Sequence, residues 1–97
     1  MTGAGEGDGE DRAWLARVLA EMERSVAAEL GEGATEQVRE YVEHHEFGLA
    51  LELLVCVAMQ AGLSPAGCED RVEEAARRMD LSASEPMAEW RRYCGQR

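Results

Sequence analysis

The segment from about Glu46 to Ala61 constrains the fold more than any other part of this chain. Read as a helix, it places Phe47, Ala50, Leu51, Leu54, Ala58 and Ala61 on one stripe and Leu49, Leu53 and Val57 on another. Glu52 and Gln60 are its chief polar interruptions. A helix that is apolar nearly all round belongs at the centre of a bundle, with other helices wrapped about it. The chain has 97 residues, room for one domain. At that size only about 60–65% of the unfolded surface can be buried, so the core must be compact. Isoleucine is absent and aromatics are few, which leaves Leu, Val, Ala and Met to fill it.

Amphipathic stretches flank this central segment. From about Asp11 to Leu30, the residues Trp14, Leu15, Val18, Leu19, Met22, Val26 and Leu30 recur at three- and four-residue steps. Asp11 is the expected N-cap, and Gly31 and Gly33 stop the helix. A shorter helix is expected from about Thr35, its cap, to His44, with Val38, Tyr41 and Val42 turned inward. Gly62 ends the apolar helix. Ser64 then caps a fourth with Pro65 in its first turn, where the missing N–H costs nothing. Its inward residues are Cys68, Val72, Ala75, Ala76 and Met79. A last helix, opened by Ser84 and Pro86, carries Met87, Trp90 and Cys94. Residues 1–10 alternate glycine with acid and have nothing to bury, so they read as a disordered tail. The expected fold is therefore all-α: a small bundle of four to five helices over residues 11–97, behind a disordered acidic N-terminal tail.

Charge narrows the partners. The formal net charge is −10 and there is no lysine. Glu6, Asp8, Glu10 and Asp11 supply four of those charges, so the folded part is acidic in its own right. Such a surface is repelled by phosphate backbones, which argues against direct nucleic-acid binding despite Arg91, Arg92 and Arg97. A basic protein is the natural complement. No basic-then-apolar leader opens the chain, and the longest apolar run, Leu53 to Met59, is far too short to span a bilayer. A cytoplasmic protein without membrane contact is expected. Cys56, Cys68 and Cys94 form no zinc-type spacing and read as reduced, buried, inert thiols.

Catalytic chemistry finds no footing in the sequence. His44, His45 and Glu46 are the one histidine-containing cluster, and Glu40 with His44 is its only i, i+4 pair. Neither HExxH nor a paired Glu-x-x-His pattern is present, and adjacent histidines on a helix point about 100° apart. No metal, cofactor or catalytic residue is expected.

Two features remain. Glu36, Glu40, Glu43, His44 and Glu46 crowd together with Arg39 as the only basic residue nearby. They read either as a solvated surface or as a face for a basic partner, where concentrated charge speeds encounter. Glu52, inside the most apolar helix, has two readings as well. It accepts hydrogen bonds from a neighbouring helix or pairs with an arginine such as Arg39, or else it stands at the edge of a binding surface.

The stretch VREYVEHHEFGLALE, Val38 to Glu52, followed by Leu53 and Leu54, resembles the signature of the MafI family of bacterial immunity proteins. The kernel is Glu46-Phe47-Gly48-Leu49-Ala50-Leu51-Glu52, within which Phe47, Gly48, Ala50 and Glu52 are the motif positions. Leu63-Ser64-Pro65 and Arg78-Met79-Asp80-Leu81 also look like that family, so the resemblance covers roughly residues 35 to 82. One departure is the turn before the motif. It often carries Gly or Asn in left-handed backbone, and here it carries His45, which tolerates that region.

The resemblance implies a small helical antitoxin that binds a toxin domain inside the producing cell, the toxins of such systems frequently being nucleases. A nuclease cleft is basic, and an acidic surface can occlude it. The expectation is an immunity protein meeting a basic toxin domain through Glu36, Glu40, Glu43, His44 and Glu46, with homodimerisation open. The alternative is a helical interaction or regulatory module of unrelated type.

Overall fold

The computed structural model describes residues 3–64 and 67–96, with side chains from residue 9 onward. Five α-helices occur among the described residues: α1 (Gly3–Leu30), α2 (Glu36–Glu43), α3 (Phe47–Ala61), α4 (Glu69–Arg78) and α5 (Glu85–Gln96). No strand occurs among the described residues. A 3-10 turn, Glu32–Thr35, joins α1 to α2 after Gly31, whose φ of 97° only glycine adopts readily. The fold is all-α.

The apolar helix α3 touches each of the other four helices. Leu15, Val18, Leu19 and Met22 of α1 meet Ala50, Leu51, Leu54 and Val55 of α3 in one buried cluster, completed by Val38, Val72, Ala75, Ala76, Met87 and Trp90. Each surrounding helix contributes the stripe that its periodicity marks. Gly62, left-handed at φ 72°, closes α3 by directing its own N–H and that of Leu63 back to the carbonyls of Met59 and Ala58.

Arg78 ties the ends of the bundle together. Its guanidinium lies 4.1 Å from the centre of the Trp14 ring and donates to Asp11 at 3.1 Å and to Glu74 at 2.8 Å. A cation over an aromatic face, held by two carboxylates, fixes α4 against the first half of α1. Arg91 on α5 holds Glu73 on α4 at 2.8 Å, and Arg71 on α4 reaches Glu21 on α1 at 3.2 Å.

Several boundaries differ from the sequence expectation. The backbone of α1 is helical from Gly3, so Asp11 is not its cap and serves Arg78 instead. Thr35 does stand at the start of α2 but makes no capping bond, because its hydroxyl turns into the core. Helix α4 begins at Glu69 behind Cys68, not at Ser64, since Gly67 at φ 89° turns the chain out of helical geometry. Pro65 lies outside the described residues.

The expectation for α3 also needs correction. Val55, assigned to neither stripe, is buried, whereas Ala61 is exposed. The second stripe is not enclosed at all. Leu49 is 48% exposed, and Leu53 and Val57 are only half-buried. The four neighbouring helices pack on one side of this fifteen-residue helix, and its other face stays open.

Candidate interaction surface

The local geometry of the α2–α3 corner sets the surface. Helix α2 buries Val38 completely and rests Tyr41 and Val42 on the core, which leaves Glu36, Glu40 and Glu43 on the opposite side. The chain then reverses through His44 and His45. His45 takes left-handed backbone at φ 61°, and its ring lies 5.4 Å from that of Phe47. Glu46 sends its N–H to the Tyr41 carbonyl at 2.8 Å, which locks the reversal. Glu36, Glu40, Glu43, His44 and Glu46 are all exposed. His44 is occupied locally, its Nδ1 lying 2.9 Å from the Glu40 carbonyl oxygen.

Four acids of α1 and α4, Asp11, Glu21, Glu73 and Glu74, each face an arginine, whereas Glu29, Glu69 and Asp70 on the same helices are exposed and enter none of these pairs. Two arginines act on Glu74, since Arg77 and Arg78 both donate to it, and its carboxyl is lowered to about 2. None of the ion pairs among the described residues involves Glu36, Glu40, Glu43 or Glu46. Arg39, the one cation on α2, is drawn the other way. It pairs at 3.3 Å with Glu23 of α1, a carboxylate only 5% exposed, which also accepts the Thr35 hydroxyl. Four glutamates are thereby left without a compensating charge.

Glu23 is the buried acid among the described residues, and sequence reasoning missed it. It sits beside Met22 on the edge of the α1 stripe, with the only hint being its reach toward Thr35 after the turn. Because Arg39 is committed to Glu23, it does not pair with Glu52. Glu52 is half-buried and has no hydrogen-bond or ion-pair partner among the described residues. Of its two readings, the edge of an open surface fits the geometry.

That open surface is the outer face of α3. Leu49, Leu53 and Cys56 recur at i, i+4 and i+7, with Val57 one turn beyond Leu53, so they form a continuous apolar strip. Leu53 still leans on the core, whereas Leu49, Cys56 and Val57 lie outside the packed cluster. Cys56 was expected inside, and its position on this face is a correction. Its thiol is nevertheless pushed up, by partial burial first and then by Glu89 and Glu52. Those two carboxylates therefore border the strip, and Glu46 stands at its head. Cys68 and Cys94 do pack on the core. Burial and the nearby Glu69 push Cys94 up to about 11.

The remaining motif residues are architectural. Phe47 and Ala50 are buried in the core, and a Cβ on Gly48 would stand 3.4 Å from the Leu81 side chain, an ordinary contact. Among the described residues no group of three or more His, Cys, Asp or Glu side chains is arranged to hold a metal ion, and no helix is long and apolar enough to cross a membrane. A groove of about 790 Å³ between α1 and α2, lined by Glu23, Arg24, Glu32, Arg39 and Glu43, extends the charged corner onto α1. Comparison of the chain with protein-family models, with curated proteins and with solved structures finds no match.

Proposed function

We propose that this chain is an immunity protein that neutralises a basic toxin domain by covering it with the α2–α3 corner. One observation carries the reading: the unpaired glutamates Glu36, Glu40, Glu43 and Glu46 are exposed at the α2–α3 corner, from which α3 runs on with an exposed apolar strip headed by Leu49. An interface needs both parts. Apolar side chains supply the desolvated centre, and unscreened charges of one sign steer an opposite surface toward it. A nuclease cleft meets that description, because its positive charge is set by the phosphates it must attract. Two copies of this chain do not pair well through the same corner, since that would set acid against acid.

The test is growth of cells that express the toxin domain encoded next to this chain, with and without the chain itself. Growth arrest relieved only when the chain is present is the expected result. Equal arrest in both would end the immunity reading and leave the corner as a contact surface for some other partner.

A further inference from the structure

The open face of α3 says more about its occupant than the sign of its charge. Leu49, Leu53, Cys56 and Val57 run about 12 Å along the helix. They lie on the side turned away from the buried Leu51, Leu54 and Ala58. At about 100° per residue the strip has two edges, with Val57 on one and Cys56, then Glu52, on the other. Cys56 lies within the influence of both Glu52 and Glu89 of α5, so two carboxylates share that edge. Neither has a hydrogen-bond or ion-pair partner among the described residues. Glu52 is also half-buried, where a carboxylate without a donor is costly.

The backbone decides the form of the occupant. Main-chain N–H and C=O groups inside α3 are bonded to one another, so an extended segment laid on the strip finds nothing to pair with. A segment buried there has to satisfy its own main chain, as a helix does. Leu49, Leu53 and Cys56, at i, i+4 and i+7, make a ridge against which the side-chain rows of a second helix can pack. A second copy of this chain fails on charge, because pairing two strips about Leu53 would set Glu52 against Glu52. Resting on the toxin-binding reading, we propose that the α3 strip receives an amphipathic helix of the partner. That helix presents apolar residues at i, i+3, i+4 and i+7, with lysine or arginine along the one flank that meets Glu52 and Glu89.

The experiment uses the full chain and fluorescein-labelled peptides of about eighteen residues, long enough to be helical, with one leucine face and alanine and glutamine elsewhere. The first peptide carries lysines along one flank of the leucines. The second carries the same lysines opposite the leucines, and the third has glutamates in place of the flank lysines. Fluorescence anisotropy should show saturable binding of the first, about tenfold weaker binding of the second and none of the third. Leu49→Asp should abolish binding with the helical spectrum unchanged. Glu52→Gln should remove most of the preference for the first peptide over the second, whereas Glu40→Gln, in the corner, should preserve it. Equal binding of the first two peptides, or undiminished binding to Leu49→Asp, overturns the proposal. So does sedimentation of the chain alone as a dimer that Leu49→Asp dissociates, which would give the strip to a second copy. No toxin enters the assay. Protection in the growth test without peptide binding would therefore end the helix proposal and leave the immunity reading standing. Peptide binding without protection would end the immunity reading and leave the strip as a helix-docking face.

Discussion

Thr35 donates its hydroxyl proton to Glu23 across 2.5 Å, twelve residues apart in sequence and both buried. The bond joins the 3-10 turn to α1 and leaves Arg39 as the only other partner for the carboxylate among the described residues. Replacing Thr35 by Val keeps the shape and removes the donor. The expected cost is about 1–3 kcal/mol, because a buried carboxylate loses one of its two partners. Urea unfolding should show that loss in Thr35→Val and little of it in Thr35→Ser. Equal losses in both would mean the bond contributes nothing.

The acidic corner should govern the rate of encounter and the apolar strip the lifetime of the complex. Replacing Glu40 and Glu43 together by Arg is expected to slow association with the toxin domain by about tenfold or more at low salt. The difference should shrink as salt screens the exposed charges. Leu49→Asp should act chiefly on dissociation, with stability changed by about 0.5 kcal/mol or less, since Leu49 lies outside the core. Surface plasmon resonance over a salt series separates the two. A double arginine variant that associates and protects cells as well as the parent would make the corner a solvated surface only.

Acid sensitivity should be traceable to Glu74. Hydrogen bonds from Arg77 and Arg78 lower its carboxyl from 4.5 to about 2 in the folded protein. A depressed folded value means the contribution is fully present above about pH 4.5 and is lost as pH falls toward 2. Glu74→Gln should therefore be less stable than the parent at neutral pH, by a small amount because the pair is exposed to solvent. The gap should close across that acidic window. A gap that persists at pH 2 would place its origin elsewhere.

Cys94 should resist alkylation. A thiol raised from 9.0 to about 11 carries roughly a hundredth of the thiolate of an ordinary thiol at pH 8, and only the thiolate reacts. Iodoacetamide labelling followed by mass spectrometry should find Cys94 modified about a hundredfold more slowly than a free peptide thiol. Reaction at the ordinary rate would show that the thiol is neither buried nor near Glu69.

Helix existence was legible in the sequence because its determinants are local. The three- and four-residue recurrence of Leu15, Val18, Leu19 and Met22, the inward set of α2 and the stop at Gly62 depend on neighbours within one or two turns. The exposed glutamates of α2 were legible for the same reason, since Val38, Tyr41 and Val42 settle which side faces in. What the tertiary structure alone decided is how far each face is covered. The apolar pattern of α3 marks residues able to be buried, but the number and position of the helices around it determine that Val55 is enclosed while Leu49 is open. Pairing is likewise non-local. Arg39 could reach an acid on α3 or on α1, and only the packing of α2 against α1 assigns it to Glu23, leaving Glu52 at the edge of the open strip.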